Sequence, residues 1–256
     1  MSDWNPEAYA RFRGLRLRPA LDLLAQVAEL PEGAVIDLGC GDGAVAPALR
    51  QRFAGRRLVG VDGSDAMLKV AGDSGLYDAL IAADLTTWQP ETAPALIFSN
   101  AALHWVSGHD ALFPRLAAML AEGGVLAVQM PRQYGAPSHR FLRDFAAEMF
   151  PEFFDFSQSH PPVRSPVDYM RLLSPLGQVD VWETDYVQRL AGDQPGHPVR
   201  RFTEATVMRP FLDRLGPAQS AAFAQRYDDA LHAAYPVESD GSVLFPFRRL
   251  FLTLRR

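Results

Sequence analysis

Apolar residues at Leu17, Leu21, Leu24, Val27 and Ala28 recur at three- and four-residue steps, which predicts a helix over residues 18–30. A helix is expected over residues 5–13 as well. Pro31-Glu32-Gly33 stops the second helix, and the run Ala34-Val35-Ile36-Asp37-Leu38 that follows reads as a buried parallel strand. After Gly39-Cys40-Gly41-Asp42-Gly43 comes a helical run to about Phe53. The alternation then repeats. Residues 57–61 predict strand two, and a helix capped by Ser64 runs to about Ala71. Residues 79–83 and 95–99 predict strands three and four, 109–121 a helix, and 124–129 strand five. Strands alternating with helices imply right-handed crossovers and a parallel, doubly wound α/β sheet.

Beyond Met130 the rhythm changes. Prolines at 131, 137, 151, 161, 162 and 166 interrupt short aromatic-rich helices such as residues 140–150. Strand alternation returns over residues 179–186 and 247–254, and residues 199–234 read as two helices joined at Gly216-Pro217. The expected organisation is one domain over residues 1–256. Its core takes in about 14–130, 175–190 and 243–256, its helical cap about 131–174 and 191–242, and its lid residues 1–13.

The formal net charge of -5 argues against a surface that tracks a phosphate backbone, so nucleic acid is not an expected partner. An acidic shell still tolerates a small cleft of converging arginines. Cys40 is the only cysteine, which rules out an internal disulfide and suits a reducing cytoplasm. The N-terminus lacks a basic segment with an apolar run behind it. No stretch approaches the roughly 18 apolar residues of a membrane span. The histidines at 104, 109, 139, 160, 197 and 232 show no metal-ligand spacing, so no metal is expected.

The chemistry concentrates in the strand-turn-helix at residues 34–50, where glycines permit a tight turn and a helix N-terminus offers free N–H groups. Gly39-x-Gly41-x-x-Ala44 satisfies the dinucleotide fingerprint, which keeps a nicotinamide cofactor open. Asp37 and Gly43 extend the turn to Asp-x-Gly-x-Gly-x-Gly, similar to the first motif of class I methyltransferases. A carboxylate there helps hold a cationic amino-acid group, directly or through water, and repels a pyrophosphate. Asp62, ending strand two, is placed to accept hydrogen bonds from both hydroxyls of a ribose. Asp84-Leu85, Asn100-Ala101-Ala102 and Leu120-Ala121-Glu122-Gly123-Gly124 look like later motifs of the same class. In that class an acidic residue after strand three bonds the adenine amino group.

A more specific resemblance runs along nearly the whole chain. Ser2-Asp3-Trp4-Asn5-Pro6-x-x-Tyr9-x-x-Phe12, Arg16-x-Arg18-Pro19-Ala20, Gly60-Val61-Asp62-Gly63-Ser64-x-x-Met67, Asn100-Ala101-Ala102-Leu103-His104-Trp105, Gln129-Met130-Pro131 and Arg209-Pro210-Phe211-Leu212 resemble the trans-aconitate 2-methyltransferases. The chain departs from the family pattern at His104, where glutamine is common, and at Val207-Met208, which replaces Gly-Leu. The resemblance implies a Rossmann-like sheet of seven strands, mostly parallel with the last antiparallel, beneath a helical cap. It also implies S-adenosylmethionine as donor, with methyl transfer to a carboxylate of trans-aconitate and no acid or base. The other acceptors weighed are another small carboxylic acid and a hydroxylated metabolite.

A tricarboxylate asks for forked donors, which favours arginine, and Lys69 is the only lysine. The expected substrate-binding residues are Arg209, Arg249, Arg18, His104 and Arg132, with Arg248 and His139 as further candidates. The expected cofactor-binding residues are Asp37, Gly39, Gly41, Asp62, Met67, Asp84, Leu85, Asn100 and Trp105, with Trp4 and Tyr9 from the lid. Trp4, Tyr9, Phe12 and Trp105 are candidates for an aromatic cover that draws a sulfonium by cation–π attraction. A monomer or weak oligomer is expected.

Overall fold

The structure is a computed structural model that describes residues 13–204 and 206–256. The expected lid residues Trp4, Tyr9 and Phe12, and the helix expected over 5–13, lie outside the described residues apart from Arg13. The first described helix, α1 (Arg13–Ala25), is followed by β1 (Val35–Leu38), α2 (Ala46–Arg52), β2 (Leu58–Asp62), α3 (Asp65–Asp73) and β3 (Ala79–Ala82). Then come β4 (Leu96–Asn100), a 3-10 turn over Leu103–Trp105, α4 (His109–Met119) and β5 (Val125–Pro131). The remainder is α5 (Pro137–Met149), α6 (Pro166–Leu173), β6 (Gln178–Leu190), α7 (Pro198–Glu204), α8 (Arg209–Leu212), α9 (Pro217–Ala234) and β7 (Val243–Arg255).

Among the described residues the strands form one seven-stranded sheet in the order β3-β2-β1-β4-β5-β7-β6. The neighbours from β3 through β5 pair in parallel, and β7 pairs with β5 antiparallel. The order reverses at β1, where the chain steps to β4 on the other side. Such a switch point opens a crevice at the carboxyl ends of the strands. One sheet face, carrying Ile36, Leu38, Ile97, Leu126, Val128, Leu250 and Leu252, packs with Leu112, Phe113 and Leu116 of α4 and with Tyr169 and Leu173 of α6. β1, β4 and β5 are buried except at Asn100 and Pro131, the last residues of β4 and β5, hence their apolar runs.

The chain forms two compact units. The first takes in residues up to 131, 162–184 and 249–256, and the second takes in 132–161 and 185–248. Both boundaries near the C-terminal half fall inside long strands. β6 and β7 have 13 residues each, longer than the runs expected from alternation. Residues 162–174, expected in the cap, belong to the first unit, because Tyr169 and Leu173 are wholly buried in its core cluster. Among the described residues three helices, Pro198–Glu204, Arg209–Leu212 and Pro217–Ala234, stand where two were expected over 199–234.

Candidate active site

The turn after β1 is built by backbone bonds to β2. Gly39 and Cys40 both donate to the Val61 carbonyl, at 2.7 and 3.1 Å, and Gly43 donates to the Cys40 carbonyl at 3.0 Å. Gly39 has a φ of +78°, and a Cβ there would sit 2.2 Å from the Ala102 Cβ, so only glycine lets the β4 loop come so near. Asp62 ties the turn to the next helix: its carboxylate accepts from Gly41 N at 2.8 Å and from Ser64 N at 2.9 Å. Each oxygen keeps acceptor capacity, since an ionised carboxylate offers about four lone-pair sites. Met67, three residues into α3 and buried, donates its N–H to the Ser64 hydroxyl at 3.4 Å.

Asp37 lies beneath the turn. It is 1% exposed, and its Oδ2 accepts from the Tyr77 hydroxyl at 2.7 Å. Tyr77 occupies a slot left by two glycines: a Cβ on Gly43 would meet its ring at 3.2 Å, and one on Gly60 at 3.0 Å. Burial raises the Asp37 carboxyl to about 7, against the lowering bond from Tyr77 and with the nearby Asp62 charge adding to the rise. Burial and the same two carboxylates push the Cys40 thiol up, which makes it a packing residue of the turn.

At the other carboxyl ends, Asp84 is exposed and accepts from Thr86 N and Thr86 Oγ1 at 2.8 and 2.7 Å. Those bonds hold its carboxyl below the usual range. The adjoining Leu85 and Trp88 carbonyls are fixed by Arg115 of α4, at 2.8 and 2.7 Å. After β4, Ala101 adopts a left-handed φ of 52° and donates to the Gln129 carbonyl. The Asn100 Oδ1 is buried with no hydrogen-bond partner among the described residues. Trp105 is 55% exposed and tilts against His104, with ring centroids 4.6 Å apart.

The predicted substrate residues separate by environment. Arg249 is 3% exposed, opposite Pro131 at the carboxyl end of β5. Arg209 opens α8 and is half-exposed, 3.9 Å from Asp213. Arg132 is half-buried and bonds the Arg248 carbonyl through its own backbone N–H. Arg18 has a side chain 76% exposed and lies 3.8 Å from Asp22. Arg248 holds Asp185 through two bonds of 2.9 and 3.0 Å. Burial, with Arg143 nearby, pushes His139 down to about 3, so it is neutral. Among the described residues no group of three His, Cys, Asp or Glu side chains is placed to hold a metal, and no helix is long and apolar enough to cross a membrane.

A family model described as a methyltransferase domain matches residues 9–177. The trans-aconitate 2-methyltransferase of Paracidovorax citrulli is 42% identical over 100% of this chain and 99% of its own length. That of Escherichia coli is 39% identical with the same coverage. This chain belongs to the methyltransferases. In fold, this methyltransferase is similar to the YcgJ protein of Bacillus subtilis, with a TM-score of 0.59 at 16% identity, covering 93% of this chain and 98% of that one. It is also similar to phosphoethanolamine N-methyltransferase 2 of Haemonchus contortus, with a TM-score of 0.52 at 18% identity, covering 93% of this chain and 52% of that one.

Three residues of this methyltransferase's candidate site escaped the sequence reading in these roles. Tyr77 sits in an irregular stretch between α3 and β3 with no motif around it, and Arg115 looks like any surface arginine of a helix. Gln129 is a lone polar residue in an apolar strand run, and that interruption was the available signal. A sulfonium nucleoside suits the residues present. The Asp62 acceptors stand at the end of β2, an unpartnered Asn100 oxygen at the end of β4, and space above Gly41, where a Cβ would meet nothing within 4 Å.

Proposed function

We propose that this chain methylates a carboxylate of trans-aconitate with S-adenosylmethionine, yielding a monomethyl ester and S-adenosylhomocysteine. Full-length identity of 38–42% to trans-aconitate 2-methyltransferases is the observation that carries the reading. The donor, when bound, supplies a sulfonium methyl that takes an electron pair from the carboxylate oxygen while the C–S pair returns to sulfur. Asp62 would accept from the ribose hydroxyls, Asp84 from the adenine amino group, and the Asn100 oxygen from a donor group of the methionine end. Gly39, Gly41, Met67 and Leu85 would line the nucleoside. Asp37 would act through the turn it supports and through its charge. Trp105, with Trp4 and Tyr9, would cover the sulfonium.

A carboxylate is ionised at neutral pH and needs no base. The turn itself offers no ready base, since burial and the nearby carboxylates push the Cys40 thiol up. Alignment of oxygen and methyl, with desolvation of the nucleophile, then provides the acceleration. Arg249 and Arg209 are the preferred anchors for the substrate's carboxylates, with His104 and Arg132 as accessory donors. We place the enzyme in the cytoplasm as a monomer or weak oligomer, acting on a free metabolite rather than on nucleic acid.

The test is incubation of pure protein and labelled donor with trans-aconitate, cis-aconitate, citrate and isocitrate, with the product ester located by mass spectrometry. Preferred turnover of trans-aconitate to a single monoester is expected. Absence of any methyl ester from the four acids would overturn the assignment.

A further inference from the structure

Gln129 is an anomaly in β5. Its side chain is 0% exposed, yet both its Oε1 and its Nε2 are buried without a hydrogen-bond partner among the described residues. A buried amide with neither end satisfied costs free energy in the resting protein, and such groups in folded proteins normally meet a ligand or an ordered water. Strand register says which ligand it would meet. Gln129 pairs with Asn100 on β4 and with Phe251 on β7, so these side chains share one sheet face. Asp37 and Arg249 project from the same face by the same alternation, since Asp37 pairs with Phe98 and Arg249 with Pro131. That face therefore carries, in strand order, the support of the glycine turn, the Asn100 oxygen, the Gln129 amide and the Arg249 guanidinium.

The pair Asn100 and Gln129 presents two buried carbonyl oxygens and one amide NH2 group, which complements a place where a cation and an anion meet. We propose that Gln129 is a substrate-binding residue whose Nε2–H donates to an oxygen of the carboxylate that becomes methylated, a proposal that rests on the reaction assigned above. A neutral donor suits this post. It fixes one carboxylate oxygen while leaving the other its electron pair, whereas a guanidinium in the same place would pair both oxygens and neutralise the nucleophile. Arg249, on the next strand of the same face, then takes a non-reacting carboxylate.

The experiment uses the full chain and Gln129→Met, which keeps the volume and removes both polar atoms. Calorimetric titration of trans-aconitate is run in the presence of S-adenosylhomocysteine. The expected result is a loss of trans-aconitate affinity of about 10- to 100-fold, the range of one hydrogen bond to an ionised group. S-adenosylhomocysteine affinity should stay within about twofold, and the melting temperature of the ligand-free protein should be unchanged or higher, because an unsatisfied amide has gone. Should Gln129→Met not fold, Gln129→Glu is isosteric and is expected to lose at least as much trans-aconitate affinity. Trans-aconitate binding within twofold of the parent in a folded variant would overturn the proposal, as would an equal loss of S-adenosylhomocysteine binding. If the parent binds and methylates one of the other three acids instead, the substrate reading fails and the same variant tests Gln129 on that acid. Binding of none of them overturns both.

Discussion

Asp37 is a carboxyl that folding removes from water and hands to a phenol. Its ordinary value of 3.8 rises to about 7 in the folded chain, chiefly through burial. Between those values the folded state binds a proton that the unfolded state has released, so this group makes stability fall as pH rises from about 4 to about 7. Asparagine also accepts from Tyr77 and carries no charge. Asp37→Asn is therefore expected to flatten that slope and to melt higher than the parent at pH 8 without ligand, while binding S-adenosylmethionine more weakly. Calorimetric scans between pH 5 and 8 measure the slope, and an identical slope in both proteins would remove Asp37 as its source. The motif around Asp37 was legible because it is local: Asp-x-Gly-x-Gly-x-Gly follows a strand run directly. Its partner was not, since the contact with Tyr77 spans 40 residues and depends on two glycines clearing room for a ring.

Elements are joined by a few buried polar contacts. His109 opens α4, and its Nε2–H donates to the Leu103 carbonyl at 3.0 Å, which leaves Nδ1 to accept from the Tyr169 hydroxyl at 2.6 Å. One imidazole thus ties the 3-10 turn carrying His104 and Trp105 to α4 and α6. Burial holds its basicity down, consistent with a neutral ring. Tyr169→Phe leaves that nitrogen buried and unpaired, at an expected cost of about 1–3 kcal/mol in urea unfolding. A change below about 0.5 kcal/mol would show that water replaces the hydroxyl. At this scale the parallel half of the sheet was legible, because strands buried on both faces are continuous apolar runs. The lengths of β6 and β7 were not: their extra residues carry Arg189, Pro246 and Arg255, and become strand through pairing with distant neighbours.

Across the whole molecule, several arginines among the described residues serve as staples for backbone carbonyls. Arg50 and Arg56 hold the carbonyls of Leu76, Leu30 and Pro31, while Arg255 and Arg256 hold those of Gly123, Glu29, Ala118 and Leu120. With Lys69 as the only lysine, this structural use leaves few cations for a trianion in a chain of net charge -5. Arg209→Ala breaks only a half-exposed pair with Asp213, so stability should move by less than about 0.5 kcal/mol. Its KM for trans-aconitate should rise about tenfold or more, with S-adenosylhomocysteine affinity nearly intact. Arg249→Ala should raise KM similarly but also lower the melting temperature, since its side chain is buried. Equal losses of donor and substrate binding in steady-state kinetics would make both arginines supports of the fold.

The order of elements along the chain, the glycine turn and the acidic end of β2 were determined by sequence alone, since each depends on neighbours within a few positions. Tertiary structure decided which polar groups went dry and which arginines were already committed. It moved α6 into the first unit, buried Arg249 and left the Gln129 amide unmet among the described residues. Those outcomes depend on which strands become neighbours, and burial of a side chain is a property of everything packed around it rather than of its place in the chain.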